Sequence, residues 1–200
     1  MQLPKTFRAI FSAPDHPSPL DRSALVLIDI QREYVDGAAP LENVHAAAAE
    51  AAKLLSLARE NGVPVFHIAH GAGPGAPAFA TDGPYVEHLD PVKPGPGEEV
   101  IWKTKADAFL GTGLADRIRA AGRDEVIIAG DMTHVCVSTS ARAAAEQHGF
   151  RVTVVGDATA ARDLPDPLGG VIAAETVRRT ALAELNDAFA VVVKDHTAWR

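Results

Sequence analysis

The sequence SALVLIDI, residues 23–30, is an almost unbroken run of apolar residues in which the acidic Asp29 stands next to the end. A strand buried on only one face alternates apolar and polar residues, and this run does not. It therefore predicts a strand buried on both faces. Five more apolar, β-rich runs follow along the chain, at residues 63–69, 99–102, 124–130, 151–157 and 188–193.

Longer segments with helical periodicity separate these runs. They lie at residues 44–61, 113–122, 135–149 and 171–186. Gly62 follows the first segment and Gly149 ends the third, and glycine is the residue most often found just past a helix. The alternation predicts a three-layer α/β/α domain over residues 23–200, with a mostly parallel, Rossmann-like sheet of six strands.

Two segments fall outside this alternation. Residues 1–22 contain four of the fourteen prolines and no periodic pattern, which indicates an extended N-terminal arm. Residues 71–98 contain six glycines and six prolines, and a loop this long in a compact domain usually carries function. We expect it to shape the entrance of a site, either as a lid or as part of a subunit interface.

Composition excludes several classes of function. The 200 residues carry a formal net charge of −7 and no run rich in lysine or arginine, so the basic surface that binds nucleic acid or anionic membranes is not expected. The apolar runs are far shorter than the roughly 20 residues of a membrane-spanning helix. A single cysteine cannot form a disulfide within the chain, which favours a reducing compartment. Prolines also interrupt the N-terminal segment before any signal-like apolar run, so we expect a cytoplasmic protein.

Three reactive side chains are predicted at one edge of the sheet. In open α/β sheets, ligands bind beyond the carboxyl ends of the strands. Asp29 lies at the end of the first predicted strand, Lys103 follows the third, and Cys136 follows the fourth after a short turn. Lys105 points the same way as Lys103 if the strand continues, and periodicity alone does not distinguish the two lysines.

Each of these side chains has a functional and a structural interpretation. A cysteine at the start of a helix is favoured as a thiolate, because the helix N–H groups lower its pKa, yet a lone cysteine is often only a small buried apolar residue. Partial desolvation of Asp29 raises its pKa towards the range of a general base, unless the residue merely caps a turn. A lysine between them lowers both pKa values, unless it is a surface residue. His134, two residues before Cys136, is a candidate partner for the thiol.

The sequence offers no metal-binding or nucleotide-binding motif. It has no pair of cysteines and no HExxH segment, and the spacing of His67 and His70 directs them to opposite faces of a strand. The glycine-rich segments at residues 71–75 and 111–113 lack the spacing of a dinucleotide or phosphate loop. We therefore expect neither a metal nor a cofactor.

Three segments together resemble one enzyme family. LVLIDIQREYVDG (25–37) resembles the opening of isochorismatase-like cysteine hydrolases, whose first strand ends in aspartate followed by x-Gln. EVIWKTKADAFLGTGL (99–114) is similar to their lysine segment, and GDMTHVCVSTSARAAAEQHGFRVTVVGDATAARD (130–163) to their nucleophile region. The likeness covers residues 23–193 and implies the isochorismatase-like form of the α/β fold.

The resemblance implies a catalytic triad of Asp29, Lys103 and Cys136, which selects Lys103 over Lys105. In the reaction that it implies, Asp29 takes the thiol proton, Cys136 attacks an amide-type carbonyl, and Asp29 protonates the departing amine. The positive charge of Lys103 balances the negative charges that form on Asp29 and Cys136. Water then hydrolyses the thioester.

The resemblance also implies the structure of the turn before the cysteine. In this family a cis peptide bond precedes the residue four positions before the nucleophile, here between Asp131 and Met132. The N–H groups of Met132 and Cys136 would form the oxyanion hole. Gln31 is expected nearby, where it would help to hold that turn.

The implied activity is hydrolysis of a C–N bond in a small amide, imide or ureido compound without a cofactor. Nicotinamidases of the family bind a metal through a D-x-H motif, but Asp15-His16 and Asp195-His196 are adjacent pairs, so no zinc is expected. Family members usually assemble as dimers or tetramers, and we expect a homo-oligomer here as well.

Two alternatives remain open. True isochorismatases of the family hydrolyse a vinyl ether with the aspartate as acid and lack the cysteine, so the presence of Cys136 argues against that reaction. A non-catalytic relative, acting as a binding or assembly subunit, is the second alternative. The presence of all three triad residues counts against it.

Aromatic and polar residues near the predicted sheet edge are candidates to line a pocket for a small, largely flat molecule. Trp102 and Phe109 are equally interpretable as core residues. The pocket candidates are Gln31, Tyr34, Trp102, Phe109 and His134, with Phe79 and Tyr85 from the long loop.

Overall fold

The computed structural model describes residues 4–200, and its centre is a parallel sheet of six strands. These strands are β1 (Ser23–Ile28), β2 (Val65–His70), β3 (Glu99–Lys103), β4 (Glu125–Asp131), β5 (Arg151–Ala160) and β8 (Val191–Val193). Two short strands, β6 (Leu164–Pro165) and β7 (Val171–Ile172), form a separate antiparallel pair. The sheet order is β3-β2-β1-β4-β5-β8. The predicted α/β fold with a parallel six-stranded sheet is confirmed.

The first strand lies inside the sheet and is buried on both faces, as its lack of alternation predicts. Ala24, Val26 and Ile28 point into one apolar cluster, while Leu25 and Leu27 point into another on the opposite face. None of these side chains is more than 1% exposed. Burial on both faces is therefore the physical reason for an all-apolar strand.

Helices cover the two faces unequally. They are α1 (Phe7–Ile10), α2 (Val44–Glu60), α3 (Leu114–Ala120), α4 (Ser138–Glu146) and α5 (Ala174–Ala188). Leu54 and Leu55 of α2 belong to the cluster around Leu25, whereas Ile118 of α3 and Leu185 of α5 belong to the cluster around Val26. The result is the expected three-layer arrangement, with α2 on one side and α3, α4 and α5 on the other.

The arm and two of the predicted helices differ locally from the prediction. The arm is not extended throughout, because Thr6 caps a single helical turn at Phe7–Ile10, whose Phe7 N–H donates to Asp187 Oδ1 at 2.7 Å. The last helix starts at Ala174 instead of residue 171, because Val171–Ile172 pairs in the hairpin. The third predicted helix begins as a π-helical turn, Thr133–Val137, before α4.

The long loop runs across the carboxyl edge of the sheet. Gln31 and His88 form an isolated antiparallel bridge, and the N–H of Leu89 donates to the carbonyl of Ile30 at 2.9 Å. The segment therefore pairs with the chain that leaves β1, at the edge where the candidate residues lie. Within residues 4–200, none of the helices combines the length and the apolar character needed to cross a bilayer.

Candidate active site

The structure brings Asp29, Lys103 and Cys136 into direct contact at the carboxyl ends of the strands. Lys103 Nζ lies 2.6 Å from Asp29 Oδ2 and 3.3 Å from Cys136 Sγ. Asp29 follows β1, Lys103 ends β3, and Cys136 lies in the π-helical turn after β4. All three residues are at most 5% exposed, so the reactive groups are shielded from solvent.

The two lysines have different positions. Lys105 is exposed, and only its backbone carbonyl joins the cluster, accepting a hydrogen bond from Lys103 Nζ at 2.9 Å. Lys103 is buried because it is the last strand residue on the face of β3 that also carries the buried Ile101. Strand alternation thus directs the Lys103 ammonium into the site, and the chain leaves the strand before Lys105.

Burial determines the protonation of the acid and the thiol. Desolvation raises the pKa of Asp29 to about 6, and the neighbouring Lys103 opposes part of that shift. Desolvation, followed by the Asp29 charge, raises the pKa of Cys136 to about 12. The expectation of a lowered thiol pKa is therefore wrong, because the thiol is buried beside a carboxylate before the regular helix begins. In the resting protein the thiol is protonated and lies beside a carboxylate able to take its proton.

The turn between Asp131 and Cys136 has the expected backbone. The Asp131–Met132 peptide bond is cis, and the Met132 carbonyl accepts hydrogen bonds from the N–H groups of Val135 and Val137. Gly130 precedes it with a φ of 130°, and any β-carbon there would collide with the carbonyl oxygen of Ile28. Glycine is therefore required where β4 passes closest to the end of β1.

Ala160, the last residue of β5, holds this turn, rather than Gln31. Asp131 Oδ1 accepts from the N–H of Ala160 at 2.9 Å, and Thr133 Oγ1 donates to the Ala160 carbonyl at 2.8 Å. Gln31 instead binds the end of β2 and the long loop, donating to the carbonyls of His70 (3.0 Å) and Val86 (2.6 Å). The expected role of Gln31 at the cis turn is corrected accordingly.

Two residues outside the predicted triad complete the centre. His70 Nδ1 lies 3.1 Å from Lys103 Nζ, and the ring of Phe79 packs edge-on against His70 at a centroid distance of 4.9 Å. Phe79 also packs against Tyr34 at 5.2 Å. Tyr34 is buried, and burial, followed by the charge of Asp29, raises its pKa.

Sequence reasoning assigned His70 no role at the site, although one signal pointed to it. His70 ends β2, so it lies at the same sheet edge as the three reactive residues. Phe79 comes from the long loop, and its backbone N–H donates to the buried carboxylate of Glu33 at 2.9 Å. The aromatic residue that packs on His70 is thus anchored by Glu33, a residue that sequence alone does not connect to it.

Four of the pocket candidates contribute no polar contact to the cluster among the described residues. Trp102 is 53% exposed on the edge strand, facing away from Lys103. Phe109 is buried in the core, where its ring lies against those of His148 and Phe150. His134 lines a separate groove between the nucleophile turn and α5. Tyr85 is partly exposed and contributes its backbone carbonyl to the N–H of Glu33.

One group elsewhere has donors of the kind that bind metals. Ligand atoms of Glu50, Asp195 and His196 lie within 4.8 Å of one another. Glu50 Oε1, however, accepts hydrogen bonds from the backbone N–H of His196 at 2.8 Å and from its Nδ1 at 2.6 Å. These contacts attach the C-terminal turn to α2, and we interpret the group as a structural hydrogen-bond network.

Comparison with known proteins identifies the family. The isochorismatase domain model matches residues 23–196. A secreted isochorismatase effector of Verticillium dahliae is 36% identical over 188 residues, or 94% of this chain and 96% of that protein. A streptothricin hydrolase of Streptomyces noursei is 37% identical over 146 residues (71% and 51%), and a maleamate amidohydrolase of Pseudomonas putida is 38% identical over 152 residues (67% and 70%).

Solved structures agree with this assignment. The crystal structure of an isochorismatase from Pseudomonas putida has a TM-score of 0.92 and 33% identity, covering 99% of this chain and 100% of that one. An N-carbamoylsarcosine amidase from Thermoplasma acidophilum has a TM-score of 0.72 and 26% identity, covering 86% and 96%. The chain therefore belongs to the isochorismatase family of hydrolases.

Proposed function

We propose that this protein is a cysteine hydrolase that cleaves the C–N bond of a small amide, imide or ureido compound through a thioester on Cys136. The observation that carries the proposal is the buried contact of Asp29, Lys103 and Cys136, with one ammonium within 3.3 Å of both the acid and the thiol. Relatives named as an amidohydrolase and an amidase support the choice of a C–N bond.

The first half-reaction needs a base, because the raised pKa of Cys136 keeps its thiol protonated at neutral pH. Asp29, with a pKa raised to about 6, is ionised at pH 7 and basic enough to take that proton as sulfur attacks the carbonyl carbon. The carbonyl oxygen becomes an oxyanion, to which the N–H groups of Met132 and Cys136 would donate. The thiol proton now on Asp29 passes to the nitrogen, the C–N bond breaks, and the amine leaves.

The second half-reaction uses the same groups with water. Asp29 accepts a proton from water while the water oxygen attacks the thioester carbonyl. The C–S bond then breaks, the carboxylic acid product leaves, and the proton on Asp29 returns to the sulfur. Throughout both steps, Lys103 stays within reach of whichever of Asp29 and Cys136 carries the negative charge. One carboxyl group thus acts alternately as base and acid, a role suited to a pKa of about 6.

The experiment is an acylation assay with p-nitrophenyl acetate, an activated ester that acetylates a competent thiol and releases coloured p-nitrophenolate. The chain has one cysteine, so one acetyl adduct by mass spectrometry locates the acyl group on Cys136. We expect a burst of one p-nitrophenolate per protein that disappears in Cys136→Ala and falls at least about a hundredfold in Asp29→Asn. Release of amine or ammonia from maleamate and N-carbamoylsarcosine, measured with the same variants, then tests the amide preference.

One observation also favours a second candidate. The raised pKa of Asp29 suits a general acid, as vinyl-ether hydrolysis needs. That reaction makes no use of the thiol, so Cys136→Ala would retain activity towards isochorismate while losing the ester burst. A wild-type protein without a cysteine-dependent burst, but with activity on isochorismate, would overturn the proposed amidase function in favour of this candidate.

A further inference from the structure

We propose that His70 is a positioning residue that orients the Lys103 ammonium, an inference that rests on the proposed function. Strand order explains why His70 is placed for this role. β2 lies between β3 and β1, so the Lys103 side chain must cross the end of β2 to reach Asp29. His70 is the residue at that end and the direct register partner of Lys103. Its Nδ1 lies 3.1 Å from Lys103 Nζ.

Lys103 Nζ has more acceptor atoms around it than it has N–H donors, so the orientation of the ammonium group decides which acceptors are bound. An ammonium group has three N–H donors and no acceptor. Four acceptor atoms surround this one: Asp29 Oδ2 at 2.6 Å, the Lys105 carbonyl at 2.9 Å, His70 Nδ1 at 3.1 Å and Cys136 Sγ at 3.3 Å. With His70 and the Lys105 carbonyl each accepting one N–H, the third N–H is left for Cys136 Sγ, and Asp29 Oδ2 faces the same ammonium as its ion-pair partner.

His70 is a neutral acceptor in this arrangement. Nδ1 faces an ammonium, which only donates, so the ring proton belongs on Nε2. Burial, and then the Lys103 charge, lower the pKa of His70 to about 4, so the ring stays unprotonated at neutral pH. An uncharged acceptor takes up a donor without neutralising the ammonium, whose charge stays available to the reacting groups.

Contacts on the remaining sides hold His70 itself. Its backbone N–H donates to Gln31 Oε1 at 2.9 Å and its carbonyl accepts from Gln31 Nε2 at 3.0 Å. The Phe79 ring packs against the imidazole. His70 is thus fixed by groups that do not belong to the triad, as a positioning residue must be if it is to define where Lys103 points.

The consequence for the reaction is a fixed third donor. With His70 and the Lys105 carbonyl each accepting one N–H, the third N–H of Lys103 points to Cys136 Sγ, while the ammonium charge lies 2.6 Å from Asp29 Oδ2. When Asp29 takes the thiol proton and negative charge develops on sulfur, this N–H already points to it. Without His70, a second N–H is free, and the ammonium adopts orientations that do not match the reacting groups.

The test compares two substitutions of nearly equal shape, His70→Leu and His70→Asn. Asn can place its side-chain oxygen close to the position of Nδ1, whereas Leu has no acceptor. With p-nitrophenyl acetate as the probe, we expect His70→Leu to lower the maximal acylation rate of Cys136 by about 10- to 100-fold, the size of effect that misplacement of a reacting group produces. The half-saturating ester concentration should change by less than about threefold, and Asn should recover most of the wild-type rate.

His70→Gln keeps the comparison decisive if the Leu variant fails to fold. Its acceptor lies one bond further from the backbone, nearer the position of Nε2, so we expect it to react as slowly as Leu. Equal acylation rates for Asn, Gln and wild type would overturn the positioning role while leaving the proposed function intact. A wild-type protein without a cysteine-dependent burst would instead overturn the proposed function itself.

Discussion

Lys103 Nζ and Asp29 Oδ2 form an ion pair 2.6 Å long in which both side chains are completely shielded from solvent. Removing one partner from such a pair leaves an uncompensated buried charge, which typically costs about 3–5 kcal/mol. The pair therefore couples the chemistry of the site to the stability of the fold.

Substituting each lysine in turn separates the buried cation from the exposed one. Lys103→Met should lower the free energy of unfolding at pH 8 by about 3–5 kcal/mol and abolish the ester burst. Lys105→Met is the matched control, since its side chain is exposed, and should change stability by no more than about 0.5 kcal/mol. Urea titrations of the two variants check this, and equal losses of stability would contradict the assigned roles.

The reactivity of the thiol should follow the charge of Asp29. A free cysteine titrates near pH 8.5, but burial and Asp29 raise the pKa of Cys136 to about 12, so alkylation by iodoacetamide should still be increasing above pH 9. Asp29→Asn removes the second of these causes and should shift the alkylation curve to lower pH. Intact-mass measurements report Cys136 alone, because it is the only cysteine. An unshifted curve would show that the carboxylate does not act on the thiol.

Stability should depend on pH through Asp29 in a defined direction. Burial raises the pKa of Asp29 to about 6, while an unfolded chain gives about 3.9. The folded state therefore binds this proton more tightly, and the associated stability is complete below about pH 4 and lost as the pH rises through about 6. A difference of roughly two pKa units corresponds to about 3 kcal/mol.

The measurement is the difference in unfolding free energy between wild type and Asp29→Asn from pH 4 to pH 7. Wild type should lose stability relative to the variant as the pH increases across that range. The difference between the two proteins is needed because burial also raises the pKa of Asp131. Asp131 therefore makes the unfolding free energy of both proteins decrease with increasing pH. A difference that stays flat, or that grows in favour of wild type, would contradict the raised pKa of Asp29.

Phe79 should control access to the sulfur. Its ring packs against Tyr34 and His70, His70 contacts the lysine that donates to Cys136 Sγ, and Cys136 is only 5% exposed. Phe79→Ala should increase the alkylation rate at least about tenfold, the factor that corresponds to 1.4 kcal/mol in the free energy of opening. Tyr85→Ala, a change at a more exposed ring of the same loop, serves as the control and should leave the rate unchanged. Equal effects of both substitutions would point to general loosening of the loop.

Strand positions were predictable from sequence because burial on both faces leaves an unmistakable apolar run, as in β1. Most of their carboxyl ends were predictable to within two residues, but β5 continues to the buried Ala160, past its predicted end at residue 157. Those ends are enough to predict that Asp29, Lys103 and Cys136 share one edge of the sheet. The hairpin was not predictable, because its paired strands have only two residues each and carry no periodicity.

Side-chain partners across long sequence separations were beyond the reach of periodicity. Gln31 bonds to His70 and Val86, which are 39 and 55 residues away, and nothing local distinguishes these partners from the cis turn. The thiol pKa was missed for a related reason. The sequence predicted that Cys136 lies near the start of a helix. Its raised pKa, however, results from burial and from the neighbouring Asp29 carboxylate, and both depend on tertiary packing.

The origin of the covering residue has a consequence for how this protein could be redesigned. Reactive groups come from the ends of β1 and β3 and from the turn after β4, whereas Phe79 belongs to one contiguous stretch, residues 71–98. Residues 71–98 could be exchanged between homologues while Glu33 and Gln31, which bind this segment, are retained. We expect such an exchange to leave the central sheet intact. The segment that contacts the site and the strands that hold the reactive groups are thus separate parts of the chain, and libraries confined to residues 71–98 leave Asp29, Lys103 and Cys136 unchanged.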